Sequence, residues 1–452
     1  MEKINKLLSG TLVPLFLLIY ALFFIFKLKA LPLKKSIFAI KSMLKRKDIG
    51  SVSPIRAVFV ALAGTLGVGN IVGVASAIAL GGAGSVFWMW VSAFLAMILK
   101  YSEIVLAMLH RRYANNQYYG GAVYYMMDYF TSVGKRITGE IYTFVFAVLC
   151  LCNGFTMGGV IQSNAISESM NSTFNWNKVA CGVFIALMLI FVFFLNAKGI
   201  FSLCEKLVPA VSTIYICLSL LAISQSVECV PEVFSQIISE AFDFQAIAGG
   251  VLGINVSMAL RYGTIRGLFS NEAGCGTSPV AHAASSSKSP CEQGVLGIVE
   301  VFIDTIVVCT LTAFVILINW ESACAYVNNP IMMCFAAFGS NIGVVSDYLL
   351  TICVFLFAFA TIVCWGYYGK ECVYFLNKSS AFEKIFYAAY VAAVFTGTFI
   401  KLDLIWQIAD FAVGAMTLMN LYMLGKMNRE IKNETLAYFK KRAPQGSSKI
   451  KE

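Results

Sequence analysis

The chain has 452 residues, 59% of them hydrophobic and 13% charged, with a mean hydropathy of +0.77 and a formal net charge of +10. No soluble protein of this size can hide so much apolar surface, so the composition implies an all-α polytopic membrane protein. The basic excess sits in a few segments that read as cytoplasmic and calls for no nucleic-acid partner. Fourteen scattered Cys read as small buried hydrophobes, and two His (His110, His282) argue against a His-based metal centre.

Eleven apolar runs approach the roughly 20 residues that a bilayer core demands. They cover 11–26, 57–80, 84–109, 140–163, 178–196, 207–225, 244–274, 294–319, 345–368, 384–400 and 403–424. The first, within residues 1–30, has no small-residue cleavage site near Lys27 and reads as a retained, extra N-terminal transmembrane helix. Segment 31–56 carries Lys34, Lys35, Lys41, Lys45, Arg46, Lys47 and Arg56 against Asp48 alone, which places it in the cytoplasm. Leu33, Ile37, Ile40 and Leu44 fall at helical spacing there and predict an amphipathic helix on the inner leaflet. The N-terminus is then outside, and eleven spans bring the basic tail, 426–452, to the cytoplasmic side of the cell membrane.

The second run is unusual. Ala61 to Gly84 holds seven glycines, at 64, 67, 69, 73, 81, 82 and 84, with Thr65 and Asn70 among them. Each interior Gly costs a helix roughly 1 kcal/mol relative to Ala. Backbone freed in a bilayer is tolerated only where protein or a polar cavity satisfies it, as in the discontinuous helix of a transporter. The plainer alternative is close helix packing through small residues. The seventh run is interrupted too, by Arg261-Tyr262-Gly263, which predicts either a second break there or a straight helix ending at Arg261.

Runs two and seven lie five spans apart. Residues 57–226 and 243–425 therefore form two five-helix units of opposite orientation, with a substrate held between broken helices at the midplane. Gly67 and Gly69 let backbone approach a ligand closely. Gln162 and Asn164, near the outer end of the fourth run, either hydrogen-bond substrate or cap that helix. Thr361 and Trp365 are one turn apart and share a face. Trp365 either walls a side-chain pocket or belongs to the interfacial belt. Asp304 and Asp410 are acids in apolar runs and so mark either a relay or a buried partner for Lys or Arg, the partner being the reading taken here. Lys100 and Glu103 are expected to snorkel or pair.

The runs Thr65 to Ala75, Ala79-Leu80-Gly81-Gly82, Phe87-Trp88-Met89-Trp90, Arg266 to Gly274 (RGLFSNEAG), Gln293-Gly294, Phe302-Ile303-Asp304-Thr305 and Trp365 to Gly369 resemble the alanine/glycine:cation symporter family, in order and spacing, over about residues 50–425. The resemblance implies a leucine-transporter-type fold and sodium-coupled symport of alanine, glycine or serine by alternating access. It departs at Ala122, where proline is expected, at Val68, where Thr or Ser is common, and at Cys275. The GxGN run is also similar to that of neurotransmitter:sodium symporters. By that likeness the carbonyls of Ala63 and Leu66 and the hydroxyl of Thr361 form a sodium site, oxygen ligands suiting a hard ion. Thr65 and Asn70 become candidates for a second sodium site or for substrate contacts. Tyr262 and Gly263, with the proposed second break, join the substrate set.

Rival classes are poorer fits. No nucleophile elbow, HExxH helix or other enzymatic signature occurs. A channel needs pore rings or a filter loop. A proton-coupled carrier is the nearer alternative, sodium being the expected coupling ion and no cofactor being called for.

Overall fold

The computed structural model describes residues 2–37, 52–114, 117–195, 197–242 and 253–441. It is almost wholly helical. Among the described residues, seven helices are long and apolar enough to cross a bilayer, or eight when a bent pair counts as one span. Four of the seven come early: α1 (Lys3–Lys27), α4 (Gly84–Leu109), α5 (Arg136–Phe174), and most of α7 (Ala197–Ser224). The bent pair is α2 (Pro54–Thr65) and α3 (Val72–Gly81). Two shorter apolar helices are α6 (Lys178–Phe193) and α12 (Pro330–Ile342). α8 (Val230–Ala241) carries Glu240, whose carboxylate accepts the Ala83 N–H at 2.7 Å ahead of α4. The second half holds α9 (Gly253–Asn271), α10 (Pro279–Ala283), α11 (Pro290–Ile318), α13 (Val345–Leu376), α14 (Ser380–Gly397), α15 (Asp403–Lys426) and α16 (Asn428–Lys441). A small hairpin, Arg112–Ala114 with Gln117–Tyr119, and a helix over Ala122–Ser132 follow α4.

Several runs continue beyond their apolar stretch. The fourth is a helix over Arg136–Phe174 where the sequence predicts 140–163, and the ninth reaches Leu376 instead of 368. Hydropathy ends where the bilayer does, while backbone hydrogen bonding goes on. Most of the predicted inner-leaflet helix, from residue 38 on, lies outside the described residues, as does the end of the basic tail.

The core is a stack of small-residue contacts around α4, which packs along α9 and α11. Added to Gly263 of α9, a Cβ would sit 2.2 Å from the Ser85 carbonyl oxygen of α4. Added to Gly297 of α11, it would sit 2.2 Å from the Ile104 side chain. Lipid tails offer helices no hydrophobic reason to associate, so close approach through small residues supplies the contact instead.

This packing corrects one expectation. α9 runs unbroken through Arg261-Tyr262-Gly263, because Gly263 serves a helix contact and not a turn. The interruption comes after Asn271. Glu272 (φ 51°), Gly274 (φ 83°) and Gly276 (φ 82°) take left-handed backbone before α10 starts. Two of these three are glycines, the residue for which that region carries no Cβ penalty.

Candidate functional site

The first break is built from α2 downward. Ser53 caps α2, accepting the Arg56 N–H at 3.2 Å, and Pro54 opens it. The helix stops at Thr65. Leu66 turns away (ψ 76°), Gly67 is extended, and a single 3-10 turn over Val68–Asn70 leads into α3, bent by 61° from α2. Side chains from distant elements fill the gap. Thr361 Oγ1 of α13 donates to the Ala63 carbonyl at 2.9 Å and to the Phe357 carbonyl at 3.0 Å. Gln162 Oε1 accepts the Val68 N–H at 3.1 Å, and Asn70 Oδ1 accepts the Gly67 N–H at 3.2 Å. A Cβ on Gly67 would lie 2.6 Å from Thr361 Oγ1 and 3.0 Å from Gln162 Oε1, so only glycine fits. Gly69 is less confined, its nearest neighbour being Ser270 Cα at 3.6 Å.

Two π turns shape the surroundings. The turn Gly154–Val160 in α5 brings Gly158 under Trp365, where a Cβ would come within 2.3 Å of the Trp365 Cβ. Trp365 is fully buried, its indole N–H has no hydrogen-bond partner among the described residues, and it packs edge-on to Tyr368. That rules out the interfacial-belt alternative. The turn Phe302–Cys309 in α11 presents Asp304 and Thr305. Such turns widen a helix locally and recur at functional sites.

Asp304 departs from the expected pairing. Among the described residues it has no Lys or Arg partner; four hydrogen bonds hold it instead. Asn70 Nδ2 reaches its Oδ1 at 2.9 Å and its carbonyl at 3.0 Å, Ser270 Oγ donates to Oδ2 at 2.6 Å, and Thr305 Oγ1 donates to Oδ2 at 2.9 Å. Thr312 Oγ1 donates to the Asn70 carbonyl at 2.8 Å. Asn70 is therefore the pin that fastens the first break to the end of α9 and to α11. Neutral donors can satisfy a buried carboxylate, which is why no cation was needed. Asp410 in α15 feels the charges of Arg266 and Arg261, and among the described residues its Oδ1 has no hydrogen-bond partner.

The structure brings together Ala63, Leu66, Gly67, Asn70, Gln162 and Thr361 of the predicted set, with Trp365 one turn beyond Thr361. Thr65 turns its hydroxyl back on the Ala61 carbonyl at 3.3 Å. Asn164 lies one side-chain step away and ties down α14 instead, donating to the Gly397 carbonyl at 2.9 Å. Tyr262 and Gly263 sit on the continuous part of α9. Sequence reasoning missed Ser270 and Gly158. Ser270 was visible inside the RGLFSNEAG run, and Gly158 only as part of an unremarked Gly-rich stretch.

A cavity of about 520 Å³ descends on the face that carries Glu168, Lys178 and residues 399–402. Arg266, Trp406 and Asn164 line it, and Val68 of the break forms part of its floor. Arg266 lies over the Trp406 ring, 4.7 Å from its centroid. Among the described residues, the opposite face is closed. Arg111 at the end of α4 donates to the carbonyls of Ala283 (3.3 Å), Ser285 (2.5 Å) and Ser287 (2.7 Å). The Ser286 N–H bonds the Val52 carbonyl at 2.8 Å, and Gln293 reaches the Pro54 carbonyl at 3.4 Å.

These features define a multi-pass membrane protein of helical-transporter fold. The solved structure of a Na+-coupled sialic acid symporter in a substrate-bound outward-open state shares that fold, with a TM-score of 0.51 and 10% identity over 94% of this chain and 86% of that one. The chain matches the sodium:alanine symporter family over residues 1–452 and belongs to it. It is 33% identical over 392 residues to the sodium/alanine symporter AgcS of Methanococcus maripaludis, covering 86% of this chain and 84% of that protein. It is 32% identical over 429 residues to the probable sodium/glutamine symporter GlnT of Bacillus subtilis, covering 94% and 87%.

Proposed function

We propose that the chain is a secondary active transporter that couples sodium to the uptake of a small neutral amino acid (alanine, glycine or serine) by alternating access. The observation that carries this reading is the break at Leu66–Asn70, lined at one point by the carbonyl end of α2, a hydroxyl, two amides and a buried indole. Ala63 O and Thr361 Oγ1 are 2.9 Å apart. If the hydroxyl hydrogen rotates aside, both oxygens face one cation, with the Leu66 carbonyl as a third ligand. The N–H groups of Gly67 and Val68 are held by amide oxygens of Asn70 and Gln162. A substrate carboxylate accepts the same donors, and the carbonyl end of α2 suits the ammonium. Trp365 pressed on Gly158 leaves room for a small side chain.

The arrangement of spans belongs to the same reading. Eleven spans are formed by the seven long helices, the bent pair, α6, α9 with α10, and α14. Residues 57–226 and 243–425 are then inverted repeats, and each contributes one broken helix, α2–α3 and α9–α10. With the basic segments inside, the 520 Å³ cavity opens to the exterior, so the molecule faces outward. The test is radiolabelled uptake into proteoliposomes with sodium and pH gradients imposed separately. Saturable accumulation of alanine under a sodium gradient alone is expected, with glutamine a poor competitor. Accumulation that follows only the pH gradient makes it a proton-coupled carrier, and linear flux without accumulation makes it a channel.

A further inference from the structure

Between the break and the closed face, α4, α10 and α11 bury a second set of charges. Lys100, Glu103 and His282 are 0% exposed, Glu300 1% and Glu272 2%. Lys100 Nζ pairs with Glu300 Oε1 at 3.1 Å and donates to Ser278 Oγ at 2.5 Å. Ser278 Oγ lies 3.0 Å from the same Glu300 oxygen. His282 Nε2 meets Glu300 Oε2 at 2.9 Å, and its Nδ1 meets Gln293 Nε2 at 2.9 Å. Ser285 Oγ donates to Gln293 Oε1 at 3.0 Å, which fixes that amide with its NH2 toward the imidazole.

The charge count follows. Lys100 and His282 both meet Glu300. Among the described residues, Glu103 and Glu272 form no ion pair. Glu103 Oε2 accepts two donors, the Gly276 N–H at 3.0 Å and Asn420 Nδ2 at 2.8 Å. Glu272 Oε2 accepts only one, Thr277 Oγ1 at 2.6 Å, and among the described residues neither Glu272 Oε1 nor Glu103 Oε1 has a hydrogen-bond partner. An ionised carboxylate so buried and so sparsely bonded takes up a proton. The other groups acting on Glu272 are Lys100 of α4, Glu300 and Asp304 of α11, Cys150 of α5, Cys364 and Tyr368 of α13, and Cys275 of its own loop. Lys100 is the sole cation among them and is already committed. A metal ion needs a shell of several oxygens, whereas here an ammonium holds the middle of the network.

We infer that Glu272 is a proton-binding site, occupied in this conformation and emptied to the inner side when the loop 272–278 and α10 release from α4. The proton comes from solvent onto Glu272 Oε1 and returns to solvent, so translocation is linked to pH.

The test is infrared spectroscopy of the purified full-length protein, followed by uptake in proteoliposomes. Wild type at neutral pH is expected to show the C=O stretch of a buried carboxylic acid. Glu272→Gln, which mimics the protonated acid, removes that intensity, while Glu103→Gln leaves it. In uptake, wild type loses about tenfold per pH unit once the site empties, and Glu272→Gln stays nearly flat while keeping its sodium dependence. The assignment is overturned if wild type lacks the band, if Glu272→Gln leaves it unchanged, or if adding sodium in place of choline abolishes it. The spectroscopic arm needs no transport, so absent amino-acid uptake in wild type refutes the carrier reading and leaves the proton site standing. The uptake arm rests on that reading.

Discussion

Thr361 and Trp365 sit one helical turn apart, and the proposed reading gives them separable jobs. Thr361→Val keeps the side-chain shape and removes the oxygen 2.9 Å from the Ala63 carbonyl. A hard cation that loses one of a few oxygen ligands binds more weakly, and reciprocal linkage passes the loss to the amino acid. The sodium concentration for half-maximal uptake should rise several-fold, and apparent alanine affinity should recover at saturating sodium. A two-dimensional titration of uptake against both solutes reads this directly; an affinity loss that sodium does not rescue removes Thr361 from the cation site. Trp365→Ala leaves a cavity, costing about 3–5 kcal/mol of stability, and should weaken alanine uptake while admitting longer side chains. Its counterpart is Gly158→Ala. That methyl lies 2.3 Å from the Trp365 Cβ, so uptake should fall more than about tenfold, whereas at Gly154 a methyl is 3.6 Å from the indole and should be mild. Equal effects at 154 and 158 mean that the indole is not held where the geometry has it.

At the scale of elements, glycines do two unlike things. Gly263 lets α9 touch α4, and a methyl there would lie 2.2 Å from the Ser85 carbonyl. Gly73 has nothing within 4 Å of an added Cβ. Gly263→Ala should therefore lower the thermal unfolding midpoint, while Gly73→Ala should leave it or raise it, by up to about 1 kcal/mol of helix propensity. A thermal shift assay on both variants decides it, and a neutral Gly263→Ala breaks the packing argument. The same distinction explains what could be read from the chain alone. The first break was legible because Gly67, Gly69 and Asn70 crowd one turn with no charge to disguise them. The second was misplaced by about ten residues, because Arg261 and Gly263 look disruptive one at a time. Packing against α4 outweighs a single glycine, and only the backbone angles at Glu272, Gly274 and Gly276 show where the helix gives way. Asp304 was legible as important but not as self-sufficient. That required seeing Asn70, Ser270 and Thr305, on three different elements, converge on it.

For the whole molecule, the orientation and the closed face lead to different measurements. Lys3 on α1 and Lys440 on α16 are both exposed. In a background without accessible native Cys, Lys3→Cys should be labelled by an impermeant thiol reagent from outside and Lys440→Cys only from inside. Labelling of both from one side means an even number of spans and no inverted repeat.

The closed face also bears on how the protein responds to its surroundings. Arg111 is held there by backbone carbonyls of Ala283, Ser285 and Ser287, not by a carboxylate. Lys100 with Glu300, behind it, is fully buried, whereas Arg56 with Glu205 and Arg112 with Asp128, on the same face, are partly exposed. Mobile ions screen exposed charge pairs over roughly a Debye length, about 8 Å at physiological ionic strength, and screen buried ones far less. Changes in bulk ionic strength therefore act on the exposed pairs and have little purchase on the Arg111 and Lys100 contacts. A tenfold higher concentration of an inert salt should leave those contacts nearly unmoved. An ion that does disturb them must act as a ligand, recognised atom by atom, and not as salt.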